Sequence, residues 1–100
     1  MNTDAMIEVR EAIRMNPKLH RQALWVTSRS CGTSYCIAGW RMHLDGLTLE
    51  NLADRETSPA EYARARFGLT GEEAEVLFYE MDSQVALERL DEYIERSKNA

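Results

Sequence analysis

The chain has 100 residues, of which 44% are hydrophobic and 29% are charged, and its formal net charge is −5. This size and composition are typical of one globular domain and exclude a disordered tail, a fibrous repeat and a second domain. The longest apolar runs span only a few residues, whereas a membrane span needs about twenty. Because Thr3, Asp4 and Glu8 give the start no basic leader, we expect a cytoplasmic protein.

The charges are distributed unevenly along the chain. Residues 1–46 contain six Lys or Arg and four Asp or Glu, whereas residues 47–100 contain six and thirteen. Nucleic-acid affinity depends on clustered Lys and Arg that displace counterions from phosphates, so this balance makes a general nucleic-acid binder an unfavourable interpretation. A solvated helix face is the favoured interpretation of the acidic half.

The first segment of the chain predicts a helix. Apolar residues recur at helical spacing at Met6, Val9 and Ile13. Thr3 precedes them as a residue that can cap a helix, and Pro17 ends the pattern. We therefore expect a helix over residues 4–15 with Thr3 as its N-cap.

Over residues 18–46 the sequence signals for secondary structure differ in strength. Residues 18–26 are apolar but lack a clear cap, so helix and coil both stay open there. Residues 27–34 are rich in Ser, Thr and Gly, which favours a loop. A helix is then predicted from a Ser34 cap to Leu44, on the spacing of its apolar residues Ile37, Trp40 and Leu44. Gly46 stands where a left-handed residue commonly ends a helix.

The second half carries stronger helix boundaries. Residues 47–57 stay ambiguous, with one turn of helix from Thr48 as the best interpretation. Ser58 and Thr70 each stand three residues before a Glu, the pattern of a capping box. Ser83 is the predicted cap of a last helix whose inward stripe is Ala86, Leu87, Leu90, Tyr93 and Ile94. No strand pattern occurs, so we predict an all-α fold, a single compact domain of about five helices covering the whole chain.

Two cysteines define a candidate structural or redox loop, whose residues are Cys31, Gly32, Thr33 and Cys36. Four interpretations of the thiols stay open. Burial in the core is favoured because free cysteine is among the most buried residue types. A disulfide would close the loop, but cytosolic proteins rarely keep one.

The other two interpretations are a zinc site and a nucleophile. Zinc would use Cys31, Cys36, His20 and His43. However, Cys36 and His43 are seven residues apart on a predicted helix, a rise of about 10 Å. The helix N-terminus would lower the pKa of a Cys36 nucleophile, but no orienting group is identifiable. We therefore assign no catalytic, metal-binding or cofactor-binding residue, and we expect neither enzymatic activity nor a cofactor.

Gly39, Trp40 and Trp25 are candidate close-packing or interaction positions. A glycine inside a helix costs about 1 kcal/mol relative to alanine, so Gly39 predicts that another backbone approaches closely. Tryptophan is enriched at binding surfaces. Both tryptophans nevertheless lie within apolar spacing, and the chain has few other large side chains to fill its centre. A core position is therefore favoured for both.

Residues 63–78 have the form helix, Gly turn, helix, which is superficially that of a DNA-binding helix-turn-helix. The second helix begins with Glu72 and Glu73, and the phosphates that flank the major groove would repel these carboxylates. A plain helical hairpin is therefore the favoured interpretation.

Three segments carry a recognisable combination of motifs: Cys31-Gly-Thr-Ser-Tyr-Cys-Ile-Ala-Gly-Trp40, Ala63-Arg-Ala-Arg-Phe-Gly-Leu69 and Glu73-Ala-Glu-Val-Leu-Phe78. Together they resemble a family of small uncharacterised proteins in actinobacteria and their phages. In that family a Cys-Gly-Thr-x-x-Cys-x-Ala-Gly-Trp block precedes a Gly-Leu turn and a Glu-Ala-x-x-Leu-Phe helix. Many members continue with Trp-Pro, where this chain has Tyr79-Glu80-Met81-Asp82, so the packing of the last helix is expected to differ. The resemblance implies a phage or mobile-element accessory gene and brings no known activity.

The leading functional hypothesis is a non-enzymatic phage or actinobacterial accessory protein that binds another protein, with a host factor as one candidate. One alternative is a thiol-based redox or metal site at the Cys31–Cys36 loop. The second alternative is weak nucleic-acid binding through Arg10, Arg14, Lys18 and Arg21. A protein partner is expected, a homo-oligomer stays open, and neither a membrane nor a nucleic acid is an expected partner.

Overall fold

The computed structural model describes residues 1–16, 37–80 and 82–99. Throughout these residues the regular structure is helical, which confirms the all-α prediction. The described part contains six helices: α1 (Thr3–Met15), α2 (Ile37–Leu44), α3 (Leu49–Asp54), α4 (Pro59–Phe67), α5 (Gly71–Phe78) and α6 (Ser83–Lys98). The prediction of about five is exceeded because the ambiguous segment 47–57 contains α3. Within the same ranges, no helix combines the length and apolar character that crossing a bilayer requires.

Three helices begin at the caps that the sequence predicts. The Ser58 side chain accepts a hydrogen bond from the Glu61 amide (3.2 Å) and starts α4. Thr70 starts α5 with a complete capping box, because the Glu73 side chain also accepts from the Thr70 amide (2.9 Å). Thr48 caps α3 in the same way, with an asparagine in place of the Glu. These caps satisfy amides that a helix start otherwise leaves without partners.

Two predicted caps are each wrong by one residue. Asn2, not Thr3, caps α1, and its side chain accepts from the amide three positions on (3.2 Å). Thr3 lies inside the helix, where its hydroxyl bonds the Ser97 hydroxyl of α6. Asp82, not Ser83, caps α6 and accepts from two amides, at 2.9 and 3.1 Å. A carboxylate is favoured there because the N-terminal end of a helix carries partial positive charge.

Positive backbone φ angles follow the ends of α2 and α3. Gly46 has a φ of 76°, as its position after α2 predicts. After α3 the residue with a positive φ is Glu56, at 55°. There the Glu56 amide bonds the Ala53 carbonyl and the Thr57 amide bonds the Leu52 carbonyl, at 3.0 Å each. This is the hydrogen-bond pattern of a Schellman motif, which glycine fits best.

Gly68 joins the end of α4 to the start of α1. It has a φ of 67°, and a Cβ at this position would lie 3.2 Å from the Met1 Cα atom. Beside it, the Asn2 amide donates a hydrogen bond to the Phe67 carbonyl (2.6 Å). Only glycine accommodates both the left-handed backbone and the neighbouring chain, so the start of α1 packs directly on the end of α4.

The hydrophobic core lies between α1, α2, α4, α5 and α6. Its large buried members include Met6, Val9, Ile13, Ile37, Phe67, Leu77, Phe78, Leu90 and Ile94. The predicted stripe of α1 is confirmed, and in the stripe of α6 Leu87 is only partly buried. Leu44, predicted to lie on the inward stripe of α2, is 41% exposed. The reason is that α2 is buried through residues 37–42 and leaves the core at its last turn.

We predict that Glu56→Gly raises the free energy of unfolding by about 1 kcal/mol, because glycine adopts the left-handed conformation without the steric cost that a Cβ imposes. Urea denaturation measures the change. Glu50→Gly, an exposed position in the first turn of α3, is the matched control and should lower the same free energy, since glycine is unfavourable within a helix. A loss of stability in Glu56→Gly would contradict the prediction.

Candidate functional site

The sequence-predicted site residues fall into two groups. Cys31, Gly32, Thr33 and Cys36 of the cysteine loop lie outside the described residues, together with Trp25 and His20. The interpretations of the thiols therefore stay predictions. Gly39 and Trp40 lie in α2 and are buried, with Trp40 only 3% exposed, which confirms its core position. The Trp40 ring meets the ring of the exposed His43 edge to face, with centroids 5.8 Å apart. A close backbone approach at Gly39 stays a prediction.

The most unusual buried residue of α2 is Arg41, whose side chain is 1% exposed. Its guanidinium donates hydrogen bonds to the Ala5 carbonyl (2.8 Å) and the Glu8 carboxylate (3.1 Å) of α1. It also donates to the Asp45 carboxylate (2.7 Å), one helical turn further along the chain. The Arg41 Nε atom has no hydrogen-bond partner in the described part of the chain. A charge buried this deeply requires such partners, because water no longer solvates it.

Asp45 accepts hydrogen bonds from three side chains. Its Oδ2 atom accepts from the Tyr62 hydroxyl (2.6 Å) and the Arg66 Nε atom (2.8 Å). Its Oδ1 atom accepts from Arg66 (3.1 Å) and from Arg41. Tyr62 and Arg66 lie on α4 and Asp45 directly follows α2, so this carboxylate joins the two helices. With Glu8 on α1, the cluster contains two arginines and two carboxylates, and its formal charges balance.

These contacts change the acidity of the cluster. Burial raises the pKa of Asp45, but hydrogen bonds from Arg66 and Tyr62 and the charge of Arg41 outweigh burial and lower it to about 2. Burial, together with the hydrogen bond to Asp45 and its charge, raises the pKa of Tyr62. The hydrogen bond to Asp45 also raises the pKa of Arg66. Asp45 is therefore a carboxylate over the whole physiological range.

The sequence contains a signal for this cluster that hydrophobic patterning misses. Arg41 lies four residues after Ile37, on the buried stripe of α2, and Asp45 follows four residues later. Tyr62 and Arg66 are also four residues apart, so each pair occupies one face of its helix segment. An arginine on an apolar stripe, with an acid one turn away, indicates a buried ion pair. Both Asp45 oxygens are already bonded, so Asp45 supports helix packing and is not available as a general base.

A second feature is an open groove between α4 and α5, which form the predicted helical hairpin around Gly68. Its volume is about 320 Å³, and its lining includes the small residues Ala60, Gly71 and Ala74 and the buried aromatic Phe78. A Cβ at Gly71 would meet no heavy atom within 4 Å, so there is open space at this position of the lining. The volume is at the lower end of the range of ligand pockets and suits one or two side chains.

The charged residues of the groove are Glu61 and Arg64 on α4 and Glu75 on α5, all exposed. None of the three forms an ion pair with another described residue. On the same helix as Glu75, Glu73 does form an ion pair, with Arg96 of α6 (3.3 Å). Across residues 1–16, 37–80 and 82–99, no group of His, Cys, Asp or Glu is arranged to hold a metal ion.

The arginines proposed for nucleic-acid binding are partly engaged within the protein. Arg10 contacts Asp91 of α6 at 3.4 Å and the neighbouring Glu11 at 3.2 Å. Arg14 contacts the same two carboxylates, at 3.9 and 3.2 Å. These pairs reduce the positive potential available to a phosphate backbone. Lys18 and Arg21 lie outside the described residues.

No protein-family model matches the chain, and no curated protein or solved structure is significantly similar to it.

We predict that Asp45→Asn lowers the free energy of unfolding at neutral pH by about 3 kcal/mol, because it leaves two arginines without a carboxylate between them.

The free energy of unfolding of the wild-type protein should fall by about 2 kcal/mol as the pH falls from 5 through about 2. The reason is that Asp45 in the folded chain stays ionised down to a pH of about 2, whereas in the unfolded chain its pKa is 3.8.

Urea denaturation at a series of pH values measures both effects. Asp54→Asn is the control, because Asp54 is exposed and forms no ion pair with the described residues. It should change stability by less than about 0.5 kcal/mol and keep the acid-dependent loss. An Asp45→Asn variant with the acid dependence of the wild type would contradict the role given to Asp45.

Proposed function

We propose that this chain is a non-enzymatic protein-binding module, a cytoplasmic accessory protein of phage or actinobacterial origin, and that it binds its partner through the groove between α4 and α5. The observation that carries the proposal is the groove itself, which combines small apolar lining residues with charged residues that have no ion-pair partner in the described chain. Such a surface recognises a side chain of another protein better than it performs chemistry.

The exposed residues beside the groove also support binding to a protein. Tyr79 lines the groove and is 60% exposed, and Val76, one turn earlier on α5, is 43% exposed. Residues three positions apart on a helix are neighbours on its surface, so the two form one apolar edge. Tyrosine is enriched among the residues that carry most of the binding energy at interfaces.

Both walls of the groove are fixed to the rest of the protein. Tyr62 and Arg66 bind α4 to Asp45 on the side away from the groove. On α5, the Glu73 carbonyl accepts a hydrogen bond from the Tyr93 hydroxyl of α6 (3.1 Å), and the Glu73 carboxylate pairs with Arg96. Rigid walls favour binding because little conformational entropy is lost when the partner docks.

We predict that Gly71→Leu blocks partner binding without damaging the fold. Gly71 lines the groove, a Cβ there would meet no heavy atom within 4 Å, and Gly71 has no positive φ, so the free energy of unfolding should stay unchanged or rise by up to about 0.5 kcal/mol. Filling the groove should weaken capture of a partner about tenfold or more. The measurement is affinity capture from actinobacterial lysate, quantified by mass spectrometry, beside urea denaturation of the same variant.

Ala53→Leu is the matched control, because it places the same side chain on an exposed position of α3 that does not line the groove. A protein captured by the wild type and by Ala53→Leu, and lost from a folded Gly71→Leu variant, supports the proposal. Equal capture by Gly71→Leu, or no reproducible capture by the wild type, contradicts it.

A further inference from the structure

The groove also carries information about the chemistry of what it binds. Resting on the proposed binding function, we infer that the occupant is a basic amphipathic helix of a partner protein. The helix places one apolar side chain between α4 and α5 and sets Lys or Arg side chains beside Glu61 and Glu75.

The requirement for an apolar anchor follows from the lining. Ala60, Gly71 and Ala74 bring no polar side-chain atom to the groove, and the neighbouring Phe78 is 1% exposed. A polar anchor would lose its water there without gaining a hydrogen bond from these side chains. The volume of about 320 Å³ leaves room for a leucine or methionine side chain of a partner.

The requirement for positive charge follows from the two carboxylates. Glu61 and Glu75 come from opposite walls, and neither forms an ion pair with the described residues. The surrounding half of the chain is strongly acidic, because residues 47–100 carry thirteen acids and six bases. Complementary charge steers a partner toward such a surface and rejects acidic ones, and a second copy of this chain, with a net charge of −5, is repelled.

We infer a helical occupant from the length of the two walls. Its walls are helices of nine and eight residues, about 12 to 14 Å long. That length matches two to three turns of a partner helix lying along the groove. Helix-in-groove recognition places apolar anchors on one face of the partner helix, and the inferred helix would combine one such anchor with charged residues one turn to either side.

The test uses a synthetic helical peptide of about 15 residues, with one leucine between lysines on one face, and a second peptide in which glutamates replace the lysines. Fluorescence anisotropy at low and physiological salt measures binding to the whole chain. Glu61→Gln and Glu75→Gln should each weaken binding of the basic peptide about two- to fivefold, because each removes one exposed ion pair. Arg64→Gln should strengthen it, because it removes the cation that lines the groove.

Glu88→Gln is the matched control, because Glu88 is exposed on α6, forms no ion pair with the described residues and does not line the groove. The inference is supported if Glu88→Gln leaves affinity unchanged, Gly71→Leu abolishes binding and the acidic peptide does not bind. Binding that Gly71→Leu does not affect would be a general attraction to an acidic protein, and it would overturn the inference.

The same experiment separates this inference from the proposed function. If Gly71→Leu removes a partner captured from lysate, but the basic peptide fails to bind or ignores Glu61→Gln and Glu75→Gln, the groove binds a partner of other chemistry. That result would contradict the basic-helix inference and would still support the proposed binding function. If neither capture nor peptide binding depends on Gly71, both the basic-helix inference and the proposed binding function are contradicted.

Discussion

The charge of Arg41 is buried at the junction of three helices, and the packing of those helices depends on how it is neutralised. The guanidinium reaches a backbone carbonyl and a carboxylate of α1, and a carboxylate at the end of α2. That second carboxylate, Asp45, then binds two side chains of α4. A hydrophobic contact would tolerate sliding of one helix along another, whereas these directional bonds set the relative positions of α1, α2 and α4.

Helix α4 connects this cluster to the groove, because one side of the helix contacts the cluster and the other side lines the groove. Tyr62 and Arg66 point toward Asp45, whereas Ala60, Glu61 and Arg64 line the groove. The helix is only nine residues long, so any shift at one side is transmitted to the other. The proposed binding surface therefore depends on a buried ion-pair cluster on the opposite side of α4.

Local signals predicted most of the fold, and their failures have physical causes. The Ser58 and Thr70 caps were predictable because each has a Glu three residues later, the spacing of a capping box. Asn2 and Asp82 were missed because each precedes another residue that can cap a helix, and no Glu or Gln three residues later distinguishes the two neighbours. Arg41 was missed because arginine is mostly a surface residue. The groove was not predictable at all, since it exists only where two separate helix faces, around Ala60 and Gly71, come together.

A carboxylate shared by three donors also limits how the sequence can change over time. If Asp45 is replaced, Arg41 and Arg66 become two like charges in one cluster, so a change at one position alters which residues the others tolerate. Substitutions within such a network are not additive. Arg41, Asp45, Tyr62 and Arg66 are thus expected to be retained or exchanged as a set among related chains, while the exposed faces of the same helices diverge freely.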